Sequence, residues 1–302
     1  MSKANKAFNA TPSEKIFDIA NYVVMALILI VTLYPFLNVL AISLNESTDT
    51  VRGGIYLWPR EFTLENYATI FQYDGLIQGA QVSLARTIVG TVLGLLSSSM
   101  VAYTLARPDF RAKKFVSTFL ALTMYFSGGL IPGYILMRDL NLIGTFWIYI
   151  FPALISAFNV FVIRSFIDGL PYALQESAKL DGANDFKIYY KIILPLCKPV
   201  LATIALFLAV GQWNSWFDTY LYNGSKPELT TLQYELMKVL QSTQQGSGST
   251  VNANDMAQQM ANISPESIRM AITIVVTVPI LVVYPFLQKY FVGGMTLGAV
   301  KA

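Results

Sequence analysis

Histidine is absent from the 302-residue chain, and cysteine occurs once, at Cys197. Those absences exclude a His or Cys metal cluster, a Ser-His nucleophile pair, a His proton relay and an internal disulfide. Charge is scarce too: Asp, Glu, Lys and Arg make up 13% of residues, about half the share usual in a soluble domain. No G-x-x-x-x-G-K-S/T phosphate loop occurs, so the chain cannot hydrolyse ATP by that chemistry. No catalytic residue and no metal site is expected.

What is present is apolar. Hydrophobic residues are 54% of the chain, mean hydropathy is +0.50, and the apolar residues fall in long runs, as in a polytopic membrane protein. An all-α fold with six transmembrane helices is expected over residues 16–291. Residues 1–15 are polar, with Lys3, Lys6 and Lys15, and precede an apolar segment from Ile16 to Leu44. That segment is too long for a signal-peptide core and reads as a retained first span.

Residues 45–80 are polar, aromatic and turn-rich, as suits an external connection against the membrane surface. Further spans are expected at Val82–Leu105, Phe115–Met137, Ile143–Ile167, Val200–Leu221 and Ile268–Phe291. The third is interrupted by Ser127-Gly128-Gly129 and Pro132-Gly133, a break tolerated where backbone lines a cavity or is buried in protein. Arg107, Arg111, Lys113 and Lys114 form a short basic loop after the second span. Lys and Arg outside the spans fall mostly on the side shared by the two termini, so residues 1–15 and the tail 292–302 are expected in the cytoplasm.

Between the fourth and fifth spans lies a charged island, residues 172–199. Leu174 and Ala178 fall one turn apart beside small Ser177, which predicts a slim apolar face open to another protein. Asp181-Gly182 breaks that helix, and Asn184 or Asp185 can cap a second one running into Leu194-Pro195. The island therefore reads as a helix-turn-helix hairpin.

Glu176, Ser177 and Ala178, then Gly182 after three residues, then Ile192-x-Leu194-Pro195 after nine more, resemble the EAA loop of the permease subunits of binding-protein-dependent ABC importers. Ser177 stands where that pattern usually has Ala. The likeness runs along essentially the whole chain and is nearest to carbohydrate importers of the maltose, multiple-sugar and complex-polysaccharide type. It implies that the loop, with Asp181 at its turn, is the coupling helix seated in a cytoplasmic ATPase. It also implies a second homologous permease subunit, two ATPase subunits that bind the ATP, an external sugar-binding protein and no cofactor on this chain. An ion-coupled secondary transporter would need ionisable residues at mid-membrane, which these spans largely lack; a non-transporting scaffold would tolerate loss of the island.

Gln212, Trp213, Asn214, Trp216 and Asp218 put amides, a carboxylate and indoles together in the fifth span. That set suits a passage for a hydroxyl-rich solute, and it equally suits an aromatic belt with interhelical hydrogen bonds. Arg86 reads as structural, snorkelling outward or pairing with an acid. The external loop 223–267 carries a candidate helix over Thr230–Gln241 and a low-complexity run after it. In the resembled family such a loop can reach into the binding protein; a plain spacer fits as well. The last residues resemble the tail of maltose-type permeases, which implies an ATPase contact through Gly298, Val300 and Lys301; a frayed end is the alternative.

Overall fold

The computed structural model describes residues 12–244 and 264–295. The tail residues Gly298, Val300 and Lys301, and all but the start of the low-complexity run, lie outside the described residues. In chain order the α-helices are α1 (Pro12–Ser43), α2 (Ser47–Thr50), α3 (Glu65–Phe71), α4 (Asp74–Ala106), α5 (Lys113–Tyr125), α6 (Leu130–Asp139) and α7 (Ala157–Asp168). There follow α8 (Ala173–Leu180), α9 (Asp185–Ile188), α10 (Leu194–Leu196), α11 (Lys198–Asn214), α12 (Leu232–Gln244) and α13 (Pro265–Met295). Short 3-10 segments at Phe146–Tyr149 and Phe151–Ala153 precede α7, and π-helical turns occupy Tyr189–Ile193 and Thr219–Asn223.

Six separate membrane-length helices are not found among the described residues. Three are long and apolar enough alone, Pro12–Ser43, Gly75–Ala106 and Pro265–Val283, and two bent pairs raise the number to five. The expected fourth span is one such pair, bent by 48° between Phe146–Ala153 and Ala157–Asp168. The other pair, Asp185–Leu196 and Lys198–Asn214, meets at 83°. Pro195 and Pro199 explain that corner: neither can donate a backbone N–H, so the ladder loosens into a π turn before them and breaks at Cys197.

The expected third span is two short helices, parted at Phe126–Gly129, where Gly129 has φ 87°. Pro132-Gly133 does not break the chain: Pro132 lies in the first turn of α6, where backbone N–H groups have no intrahelical partner to lose. The fifth span is α-helical to Asn214, loses helix at Ser215 and Trp216, and becomes π-helical over Thr219–Asn223.

The chain divides into two compact units. The first comprises Met1–Ile70 and Asn254–Ile274. There α1 is apolar around its whole circumference and exposed along its membrane-length window, which fits a helix solvated by lipid. Asn45 pins the turn that follows α1. Its Oδ1 accepts from Arg60 N at 2.7 Å and Glu61 N at 3.0 Å, and its Nδ2 donates to Asp49 Oδ2 at 3.0 Å. That amide and the Arg60 guanidinium hold the Asp49 carboxyl below its ordinary range.

The second unit comprises Phe71–Ala253 and Val275–Ala302. Its spine is α4, against which α7, α11 and α12 pack. Close approach is written into two α4 glycines: a Cβ at Gly79 would lie 3.1 Å from Leu232 N, and one at Gly90 would lie 2.7 Å from Gln212 Nε2. The main core gathers Leu105 from α4, Ile163 from α7, Ile188 and Ile193 from the hairpin and Ile204 from α11, all nearly inaccessible. The charged hairpin is therefore one wall of the core rather than a loose loop.

Candidate functional site

The hairpin forms as its local chemistry dictates. Gly182 takes φ 76°; its N–H donates to Lys179 O at 3.0 Å, and Ala183 N donates to Ala178 O at 2.9 Å, which closes α8 in the left-handed manner that glycine permits. Asn184 Oδ1 accepts from Lys187 N at 2.9 Å and caps α9, so of the two expected caps it is Asn184 that serves. Gln175 and Ala178 face inward and are buried, whereas Leu174, Glu176, Ser177 and Leu180 are exposed. The expected outward face of Leu174, Ser177 and Ala178 is corrected: Ala178 is buried beside Gln175 and belongs to the core, where its small side chain permits close packing, while Leu174 and Ser177 stay exposed. Asp181 and Gly182 are exposed at the turn. Farther along, Ile192 and Leu194 are half-buried and Pro195 is exposed.

A charged joint ties the hairpin to the loop after α4. Arg107 pairs with both Asp109 and Asp185, and Lys179 lies 3.7 Å from Asp109. The hydrogen bonds from Arg107 pull the Asp109 carboxyl down to about 2. Asp109 and Asp185 are half-exposed, so the joint orients more than it stabilises.

The second cluster is centred on Arg86, which is 2% exposed. Its guanidinium donates to Asp218 Oδ1 at 3.1 Å and Oδ2 at 2.6 Å, to Gln212 Oε1 at 3.0 Å, and sits 4.3 Å above the ring of Tyr149. Gln212 Nε2 donates onward to Tyr149 O at 3.1 Å, and Tyr149 Oη to Leu229 O at 2.6 Å. A bidentate Arg–carboxylate fork stacked on a phenol satisfies nearly all of its donors locally. Of the five residues read as a passage, Gln212 and Asp218 are thus joined through Arg86. Trp213 is half-buried and donates its indole N–H to Val276 O at 3.0 Å, Asn214 is exposed at the end of α11, and Trp216 stands edge-on to Phe217 at 5.7 Å between ring centres. Trp216, Phe217, Tyr220 and Tyr234 form a continuous aromatic row.

Residues 90–297 match the family described as the binding-protein-dependent transport system inner membrane component. This chain belongs to that family. The permease is 35% identical over 292 residues to protein LplC of Bacillus subtilis (strain 168), covering 96% of this chain and 97% of that one. It is also 35% identical to the polygalacturonan/rhamnogalacturonan transport system permease protein YtcP of the same organism, covering 95% of this chain and 99% of that one. Among solved structures, it is similar to a bacterial ABC transporter involved in the import of the acidic polysaccharide alginate. There the TM-score is 0.84 at 28% identity, covering 93% of this chain and 99% of the other. It is a multi-pass membrane component of an ABC importer, a transport subunit rather than an enzyme, working with other ABC components and a substrate-binding protein.

Residue-by-residue reading of the permease missed the partners that build both sites. Arg107 and Asp109 clasp the hairpin through Asp185 and Lys179, and Tyr149 lies under Arg86. The sequence signal for the first was present, since Arg107 and Asp109 flank a span end; nothing local marks Tyr149.

Proposed function

We propose that this permease forms half of the translocation pathway for a sugar or oligosaccharide, with six spans, both termini in the cytoplasm, and the hairpin 172–199 as the element that engages an ATPase. In that arrangement α5 and α6 together make the third span. A second homologous permease completes the path, two ATPase subunits supply the ATP chemistry, and an external sugar-binding protein delivers the solute; no cofactor binds this chain. The observation that carries the reading is the hairpin: the motif residues Glu176 and Ser177 stand exposed on a helix whose other side is part of the core, and Gly182 is exposed at the turn that follows it. Carbohydrate as the solute is supported by relatives named for polygalacturonan/rhamnogalacturonan and for arabinooligosaccharides.

Transport then runs by alternating access: closure of the ATPases draws the two coupling hairpins together and opens the path outward to the docked binding protein. The deciding experiment is ATP hydrolysis by the purified complex, with its binding protein, across a panel of oligosaccharides. Selective stimulation by one glycan class is expected; hydrolysis indifferent to every sugar but driven by another solute would overturn the carbohydrate assignment.

Trp216 tests the passage. Its indole lies at the end of the aromatic row, where it can stack on a pyranose face, an interaction worth about 1 kcal/mol. Trp216→Ala is expected to lower uptake about fivefold while the complex assembles normally. If assembly and uptake fall together, with no separable transport loss, the aromatic row is a structural belt.

A further inference from the structure

We propose that the recess between the start of α5 and the end of α7 binds the phosphate headgroup of an anionic membrane phospholipid. The recess measures about 400 Å³ and is lined by Arg111, Lys113, Lys114, Ser117, Thr118 and Arg164. Four cations therefore face one cavity. Among the described residues, no carboxylate pairs with Arg111, Lys113 or Lys114, and Arg164 alone is partly neutralised, by Asp168 at 3.4 Å. Arg164 is steadied by donating from Nη1 to Ser117 Oγ at 2.8 Å, and Ser117 in turn donates to Lys113 O at 2.6 Å. Like charges that line one recess repel one another unless an anion lies between them.

The surroundings select a lipid over a soluble anion. Beyond Ser117 and Thr118 the same face of α5 carries Ala121, Met124 and Tyr125, of which Met124 is 51% and Tyr125 84% exposed, so apolar surface follows the cations along the helix. In a membrane-embedded chain, cations at one end of such a strip match a phospholipid: the phosphate meets Arg and Lys while the acyl chains follow the apolar side chains. The recess also lies on the hairpin's side of the second unit, since α7 ends at Asp168 and α8 begins at Ala173. A headgroup here would brace the loop that carries Arg107 and Asp109, which clasp the hairpin. The sign of the site selects phosphate whichever leaflet it faces, so the assignment does not depend on the orientation proposed above.

The test is lipid retention by the purified, delipidated transporter complex, read by native mass spectrometry against equimolar phosphatidylglycerol and phosphatidylethanolamine. Wild type is expected to retain phosphatidylglycerol preferentially and to lose that preference at about 1 M salt, where screening reaches only a few ångströms. Since a basic residue near an anionic surface is worth about fivefold in affinity, R111Q/K113Q/K114Q is expected to retain at least tenfold less. The charge-conserving R111K/K113R/K114R should retain it like wild type. If the neutral variant does not assemble, the wild-type lipid preference and its salt dependence decide alone. Equal retention of the two lipids by wild type would overturn the site. So would undiminished phosphatidylglycerol on the neutral variant, with or without loss of the ATPase; displacement of the lipid by millimolar inorganic phosphate would assign the recess to a soluble anion instead.

Discussion

Gly182→Val should leave the permease in the membrane at near-normal abundance while co-purified ATPase and solute uptake both fall about tenfold. Gly182 holds φ 76° with no other group within 4 Å of where a Cβ would stand, so the substitution meets no clash. Its cost is purely conformational, about 1–2 kcal/mol for a β-branched residue in the left-handed region. That is too little to unfold a unit whose core includes Ile163, Ile188 and Ile204, but it is comparable to a tenfold change in an equilibrium. The turn would relax by unwinding the bonds from Gly182 N and Ala183 N, and with them the presentation of Glu176 and Ser177. Gly182→Asn separates the two reasons a glycine can be required. Asn tolerates the left-handed conformation, so it should restore most uptake if the turn geometry is what matters, and should fail like Val if the ATPase must approach the bare backbone. Glu176→Lys, which reverses an exposed charge in the first turn of α8, should act in the same direction more mildly. Full ATPase retention with full uptake in Gly182→Val would sink the coupling assignment.

Why the hairpin could be read in advance is a matter of range. A glycine stop, an Asn cap and a motif of fixed spacing are all encoded within a few residues, and the structure places Gly182 and Asn184 accordingly. The same holds for the break before α6, where Gly129 has φ 87°. What local pattern could not supply was direction. Hydropathy marks the stretch Val200–Leu221 as apolar but is silent on the 83° corner before it and on the loss of α-helix at Ser215. Ala178 faces the core because of how the hairpin packs on distant parts of the chain, which two turns of helix cannot announce. Arg86 was readable as a cation in need of an acid, yet the acid is 132 residues away.

Arg86→Met is expected to be the most destabilising of these substitutions, by about 3 kcal/mol. Removing one partner of a buried ion pair costs about 3–5 kcal/mol, and the lower end applies because the Asp218 side chain is 24% exposed while that of Arg86 is 2% exposed. Four acceptors lose a donor at once: both Asp218 oxygens, Gln212 Oε1 and Ser215 O. Gly90 makes the loss hard to absorb, since α4 and Gln212 already approach as closely as a missing Cβ permits. Asp218→Asn should destabilise as well, because it leaves a guanidinium buried without a counter-charge, although the amide oxygen can still accept from Thr219 N. The double variant Arg86→Met/Asp218→Leu removes both charges and is expected to recover more than half of the lost stability, measured as Tm of the purified complex. Its uptake then separates two roles for the cluster. Recovered Tm with wild-type uptake makes the fork a brace between α4 and the residues after α11, whereas recovered Tm with uptake still lost places the fork on the solute path beside Trp216. A double variant no more stable than either single one would show that Arg86 and Asp218 are not energetically coupled, against the geometry that joins them.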